Sequence, residues 1–182
     1  MKISFLKKEE IEQVIFVIDQ ILLTTKFESI LENKALIMVH NKRKGIFLIE
    51  QADRAYVKSL SVENYNRDCK PVFLKIKLGF WIRDKFRIGI ESLPFLAQFC
   101  KYPIVVPSKR QVTKFIYGRN IEILPNENIR DNFKHADGST VLLTSKSRIP
   151  LGYAKVRLEK DKIRLKNVID IGIYLRSEKT AF

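Results

Sequence analysis

Residues 154–166 alternate: Ala154, Val156 and Leu158 are apolar where Lys155 and Arg157 are cationic, and Ile163 and Leu165 stand between Lys162, Arg164 and Lys166. A period of two is the period of a β-strand, whose successive side chains leave by opposite faces. The segment is therefore predicted to fold as strands with one face turned to a core and a line of cations turned outward. A phosphate backbone is itself a line of charge, and a row of Lys and Arg can follow it while its counterions are released. Lys160 extends the row, so Lys155, Arg157, Lys160, Lys162, Arg164 and Lys166 are candidate ligands of a polyanion. Only Glu159 and Asp161 oppose them, a more one-sided balance than a solvated strand face requires.

The surrounding sequence has the same strand-like texture. Short apolar runs at 104–106, 121–124, 140–144, 152–158, 163–165 and 171–175 are punctuated by turn residues such as Asp137-Gly138. One helix is predicted over 109–117, with Ser108 as its N-cap, Val112, Phe115 and Ile116 as its core-facing stripe and Gly118 as its C-cap. Five or six short strands with one early helix in about 80 residues describe a small β-barrel. Gly172 is read as relief of crowding at a strand bend or a close packing contact.

The first hundred residues read differently. Ile11, Val14, Ile15, Val17, Ile18, Ile21 and Leu22 repeat at three and four and predict an amphipathic helix over 7–23. Residues 35–40 and 46–50 form a predicted hairpin whose turn, 41–45, carries Lys42, Arg43 and Lys44. Alternation over 72–78 is followed by a second predicted hairpin, 80–83 with 86–91, that contains Trp81 and turns near Asp84-Lys85. A short helix over 93–100 is expected to start at Ser92, with Pro94 in its first turn. Lys101-Tyr102-Pro103 marks a boundary, because proline disfavours helix at the residue before it. The expected class is α+β: an N-terminal α/β domain with an antiparallel sheet over 1–100, and a pseudo β-barrel over 101–182.

Charge sharpens the division. Lys and Arg outnumber Asp and Glu by 17 to 12 over residues 1–100 and by 17 to 8 over residues 101–182, for a formal net charge of +14. An excess of this kind draws polyanions toward the fold, whether nucleic acid or an anionic surface. The apolar fraction, 46 % with 10 % aromatics, suffices for a buried core and excludes intrinsic disorder. The longest apolar segment is interrupted by Glu12, Gln13, Asp19 and Gln20, so no membrane span is predicted, and the acidic residues of the first turn do not suit a secretory signal. A cytoplasmic protein without a membrane partner is the expectation.

No catalytic or cofactor signature is present. Phosphate-cradling glycine loops, a GxSxG elbow and a kinase-type HRD are missing, and the seven glycines are scattered. Cys69, Cys100, His40 and His135 come from four separate segments, without the local ligand pairs of a structural zinc, so both cysteines are read as reduced and no cofactor or metal is expected. His135, between Asp131 and Asp137, is read as a surface residue rather than a general base.

Several blocks together carry a family resemblance. Val105-Val106-Pro107-Ser108, Phe115-Ile116-Tyr117-Gly118-Arg119-Asn120 and Ile149-Pro150-Leu151-Gly152-Tyr153-Ala154 resemble the PUA domain, a small pseudo-barrel that binds RNA. Lys85-Phe86-Arg87-Ile88, the 93–102 segment and Asp170-Ile171-Gly172-Ile173-Tyr174-Leu175-Arg176 extend the likeness, from about residue 70 to the end, to the Nip-seven family of large-subunit ribosome biogenesis factors. The resemblance implies non-catalytic RNA binding by a PUA domain over 101–182. The surface it implies comprises Lys109, Arg110, Lys114 and Arg119 with Lys160, Lys162, Arg164, Lys166 and Arg176. Where many PUA domains have a glycine turn, this chain has Pro125-Asn126-Glu127-Asn128. Tyr117 and Tyr153 are candidates for base stacking.

The expectation from sequence is thus a monomeric, non-enzymatic factor, cytoplasmic or, in a eukaryote, nucleolar, that binds pre-rRNA in large ribosomal subunit assembly and meets other assembly factors through its N-terminal domain. An RNA-modifying enzyme, or the targeting subunit of an RNA-modifying complex, is the alternative. A protein-binding scaffold whose charge serves solubility is a third.

Overall fold

A computed structural model of the protein describes residues 2–22, 26–40, 44–62, 76–124 and 137–178, without the side chains of residues 59–62 and 177–178. The chain forms two compact units, residues 1–19 with 25–95 and residues 20–24 with 96–182. The elements are β1 (Lys2–Phe5), α1 (Lys8–Leu22), α2 (Phe27–Ile30), β2 (Lys34–His40), β3 (Gly45–Glu50), α3 (Arg54–Val62), β4 (Ile76–Ile82), β5 (Lys85–Ile88), α4 (Leu93–Ala97), β6 (Ile104–Val105), α5 (Lys109–Ile116), β7 (Ile121–Ile123), β8 (Thr140–Thr144), β9 (Pro150–Leu158), β10 (Ile163–Asp170) and α6 (Ile173–Glu178). The α+β class expected from the sequence is the class observed.

The first unit is built on an antiparallel sheet of order β1-β2-β3-β4-β5. Ile37, Val39 and Ile49 cluster with Ile3 and with Val57 of α3 on one face. The alternate residues Leu36, Met38, Ile46 and Leu48 are buried as well, so the sheet is covered on both sides, which explains why β2 and β3 read as nearly continuous apolar runs. Val14 and Ile18 of α1, the stripe seen in the sequence, are fully buried.

Three details depart from the sequence-based expectation. The chain runs from Ile76 to Ile82 as one strand, because Gly79 lets β5 approach: a Cβ there would lie 2.1 Å from the Arg87 carbonyl oxygen. The hairpin turns at Arg83-Asp84, both with positive φ (45° and 60°), as a two-residue turn between twisted strands requires. The α4 helix begins as a 3-10 turn over Ile90–Ser92 and ends at Ala97; the Ser92 hydroxyl donates backward to the Gly89 carbonyl (2.7 Å). Residues 72–75, Lys42, Arg43, Cys69, the 125–128 turn and His135 lie outside the described residues.

The second unit carries the curled, half-barrel sheet β6-β8-β9-β10-β7, antiparallel except for the parallel pair β6–β8. Its core is Ile104, Val106, Phe115, Ile121, Ile123, Val141, Leu143, Leu151, Ala154, Val156, Ile163 and Leu165. Phe115 fixes α5 to that core, and Ser108 caps the helix by accepting from the Gln111 backbone N–H (3.2 Å). At the other end Gly118, at φ +78°, closes a Schellman motif: its N–H bonds the Phe115 carbonyl and that of Arg119 bonds Lys114.

Residues 171–175 are not the strand expected. β10 continues to Asp170 with an irregularity at Val168, and the chain then turns into α6. The Asp170 carboxylate accepts from the Gly172 N–H (2.9 Å), and the Gly172 carbonyl starts the helix by accepting from Arg176 N. Gly172 lies against the end of α5 so closely that a Cβ would fall 1.7 Å from the Ile116 carbonyl oxygen. Tertiary contact at the glycine, rather than the β propensity of Ile171 and Ile173, decides the conformation.

Candidate nucleic-acid interface

The registers of β7, β9 and β10 set out the charged face. Arg157 of β9 pairs with Arg164 of β10, which pairs on its other side with Glu122 of β7; Lys155 pairs with Lys166. Inward neighbours Ala154, Val156, Ile163 and Leu165 are buried, so the alternation in the sequence becomes an apolar side and a cationic side. Like charges directly across a strand pair repel. Arg164 is relieved of that repulsion by Glu122, whereas Lys155, Arg157 and Lys166 have no ion-pair partner among the described residues.

The face is concave. A cleft of about 450 Å³ is lined by Asn120, Asp137, Gly138, Lys155, Val156, Arg157, Arg164 and Lys166. Asp137 is its only carboxylate among the described residues and already accepts from the Leu158 N–H (2.9 Å). A neighbouring cleft of about 420 Å³, between α5 and β7, is lined by Gln111, Lys114, Asn120, Ile121, Glu122 and Arg164. The two share Asn120 and Arg164. Together they form a path from Lys114 to Arg157, open to a chain-like anion.

The predicted cations separate into groups. Lys162 bonds Glu122 at 3.0 Å and lies 3.6 Å from Glu159; Arg164 bonds Glu122 at 3.0 Å and lies 3.4 Å from Glu159. Two cations and two carboxylates cancel. The hydrogen bonds from Lys162 and Arg164 hold the Glu122 carboxyl below its usual range, and that carboxylate in turn raises the Lys162 ammonium. Glu122 and Lys162 therefore hold their charges near neutral pH. Sequence reading missed this because Glu122 is 40 residues from Lys162 and meets it only through the β7–β10 pairing. Lys160 is exposed in the turn between β9 and β10.

Arg176 has an intramolecular task. Its guanidinium bonds both oxygens of Asp170 (3.0 Å each) and donates to the Ile116 carbonyl at the end of α5. Asp170 is 1 % exposed. Asn167 joins the group, donating from Nδ2 to the Phe115 carbonyl (2.8 Å) and to Asp170 (3.0 Å). Carbonyls that a helix end leaves unsatisfied are thus filled by side chains of β10 and α6. In the sequence Asp170 heads a block of the family resemblance but has no visible role of its own; an Asp six residues before an Arg carries no signal until the chain turns between them.

Of the remaining candidates, Lys109, Arg110, Lys114 and Arg119 are exposed on or just beyond α5, and Lys114 lines one of the two clefts described above. Tyr117 is exposed and Tyr153 fully buried, so only Tyr117 remains available for stacking. In the first unit a cleft of about 330 Å³ is lined by Glu10, Gln13, Met38, Lys44, Trp81, Arg83 and Asp84, two cations and two carboxylates without a charge preference. Trp81 is half-buried there, edge-on to Phe86 with ring centroids 6.0 Å apart. Cys100 is a free, buried thiol whose pKa burial pushes up. Among the described residues no cluster of His, Cys, Asp and Glu could hold a metal ion, and no helix is long and apolar enough to cross a membrane.

Comparison with known proteins agrees with this architecture. Residues 103–179 match the UPF0113 PUA domain. The chain is 32 % identical over 107 residues to the 60S ribosome subunit biogenesis protein nip7 of Schizosaccharomyces pombe, with 54 % of this chain and 58 % of that protein covered. It is 33 % identical over 142 residues to the 60S ribosome subunit biogenesis protein NIP7 homolog of Danio rerio, with 70 % of this chain and 76 % of that protein covered. The crystal structure of a hypothetical protein from the archaeon Pyrococcus horikoshii OT3 shares the fold, with a TM-score of 0.51, 11 % identity and coverage of 91 % of this chain and 93 % of that one. With the PUA match in the second unit and a like sequence along most of the zebrafish relative, the chain belongs to the Nip7 family.

Proposed function

We propose that this protein is a non-catalytic RNA-binding factor that engages pre-rRNA during assembly of the large ribosomal subunit. The names of its relatives support the process, and the PUA match supports RNA as the ligand. One observation carries the molecular part: Lys155, Arg157 and Lys166 line a single cleft without ion-pair partners among the described residues, and Lys114 lines the adjoining one. An anion entering there replaces like-charge repulsion with attraction. Residues 101–182 act in this reading as the RNA-binding domain and residues 1–100 as the docking domain for other assembly factors, in a monomer.

The test is binding of the full chain to single-stranded RNA, to structured rRNA fragments and to DNA of equal length at two salt concentrations. Four phosphate contacts give a slope of log K against log salt of roughly −3, at about −0.7 per contact on a single strand. RNA preference that persists at the higher salt supports the proposal. Equal, salt-labile binding to all three would reduce the basic face to electrostatics, and turnover of a modified nucleotide would point to an enzyme.

A further inference from the structure

Along β7 and the residues leading into it, two outward positions face the cations of β10. Glu122 lies opposite Arg164 and neutralises it; two residues earlier, beside Lys166, stands Asn120. A carboxylate at 120 would quench Lys166 as Glu122 quenches Arg164, and the chain has the neutral amide instead. The amide orientation is defined by its partner: Asn120 Oδ1 accepts from the Asn167 N–H at 3.0 Å, so the two hydrogens on Nδ2 point away from that bond. Nδ2 has no hydrogen-bond partner among the described residues. Asn120 is exposed and lines both clefts, at the point where they meet.

We propose that Asn120 is a base-recognition residue, donating from its side-chain amide to an acceptor on the edge of an unpaired RNA base seated at the junction of the two clefts. The inference rests on the RNA-binding reading above and adds to it a source of sequence preference. The flanking cations can hold phosphates, which position a strand without reading it, whereas an oriented amide discriminates among base edges. Unpaired bases expose those edges; a base in an A-form helix does not present them to a side chain in the deep, narrow groove. Because Asn120 carries no charge, its contribution belongs in the differences between sequences and not in the salt dependence.

The experiment compares the full-length protein with Asn120→Ala and Asn120→Asp on single-stranded oligo(U), oligo(C) and oligo(A) of equal length, by fluorescence anisotropy at two salt concentrations. Wild type is expected to spread these ligands by at least about fivefold, the ordinary net worth of one hydrogen bond. Asn120→Ala is expected to weaken the best ligand by roughly that factor and to bring all three within about twofold, at an unchanged salt slope. Asn120→Asp keeps the acceptor for Asn167 N and is expected to weaken every ligand and flatten the slope. Wild-type binding to RNA with the same ranking and affinities in Asn120→Ala overturns the role of Asn120 while leaving RNA binding standing. Failure of the wild type to bind any of the three while it binds a structured rRNA fragment overturns this inference alone; failure on the fragment as well overturns the RNA-binding reading, and this inference with it.

Discussion

Replacing Glu122 by Gln is predicted to strengthen RNA binding. In the wild type, Lys162 and Arg164 are balanced by Glu122 and Glu159 through contacts of 3.0 to 3.6 Å. The uncharged, isosteric amide leaves one net positive charge on the face that borders both clefts. If that charge engages one further phosphate, the salt slope steepens by about 0.7, which amounts to about fivefold tighter binding at 0.1 M salt and about 1.6-fold at 0.5 M, relative to 1 M. Glu122 and its partners are solvent-exposed, so the loss costs the fold little. The assay is anisotropy of a labelled single-stranded RNA across a salt series, with a melting curve to confirm that the variant is folded. An affinity unchanged or lowered at 0.1 M in a folded Glu122→Gln protein would refute the claim that this carboxylate restrains the cation row. Because its neighbours hold Glu122 ionised below the usual carboxylate range, its own titration leaves RNA binding flat between pH 6 and 8.

Two further predictions concern the scaffold. Asp170→Ala strands Arg176 and opens the carbonyls at the end of α5; with Asp170 1 % exposed and Arg176 36 %, the loss falls near the lower end of the range for a broken buried pair, about 3 kcal/mol, read as a drop in the second unit's melting temperature of roughly 12–24 °C. A drop of only a few degrees would show that the network is not what ties α5 to β10 and α6. In the first unit, burial first and then Lys2 and Lys44 depress the pKa of His40 from its ordinary 6.5, against the pull of Glu10, while Ser4 Oγ lies 2.8 Å from Nε2. The unfolded chain then binds the proton more readily than the fold does, so this contribution to stability is full above pH 6.5 and declines as pH falls toward the lower folded value. Melting between pH 7.5 and 5 is expected to fall less steeply in His40→Gln than in wild type; equal slopes would remove His40 from the account.

What could be read in the chain was whatever local periodicity controls. The three-and-four stripe of α1, the alternation of β9 and the Ser108 and Gly118 ends of α5 depend on neighbours a few residues apart, and each is found where the pattern puts it. The pattern also placed Lys155, Arg157, Arg164 and Lys166 on one face, since a strand's period leaves them no other.

Which of those cations carries a usable charge is a different kind of fact. Glu122 meets Lys162 and Arg164 only because β7 pairs with β10, and Asp170 becomes the partner of Arg176 only because Gly172 permits a turn against the end of α5. The same contact turns 171–175, strand-like by propensity, into the approach to α6. Local sequence fixes the direction in which a side chain leaves the backbone, because that is steric and short-ranged. Its effective charge depends on ion pairs and hydrogen bonds made at about 3 Å, and only the folded chain brings residues 40 or more apart to that distance.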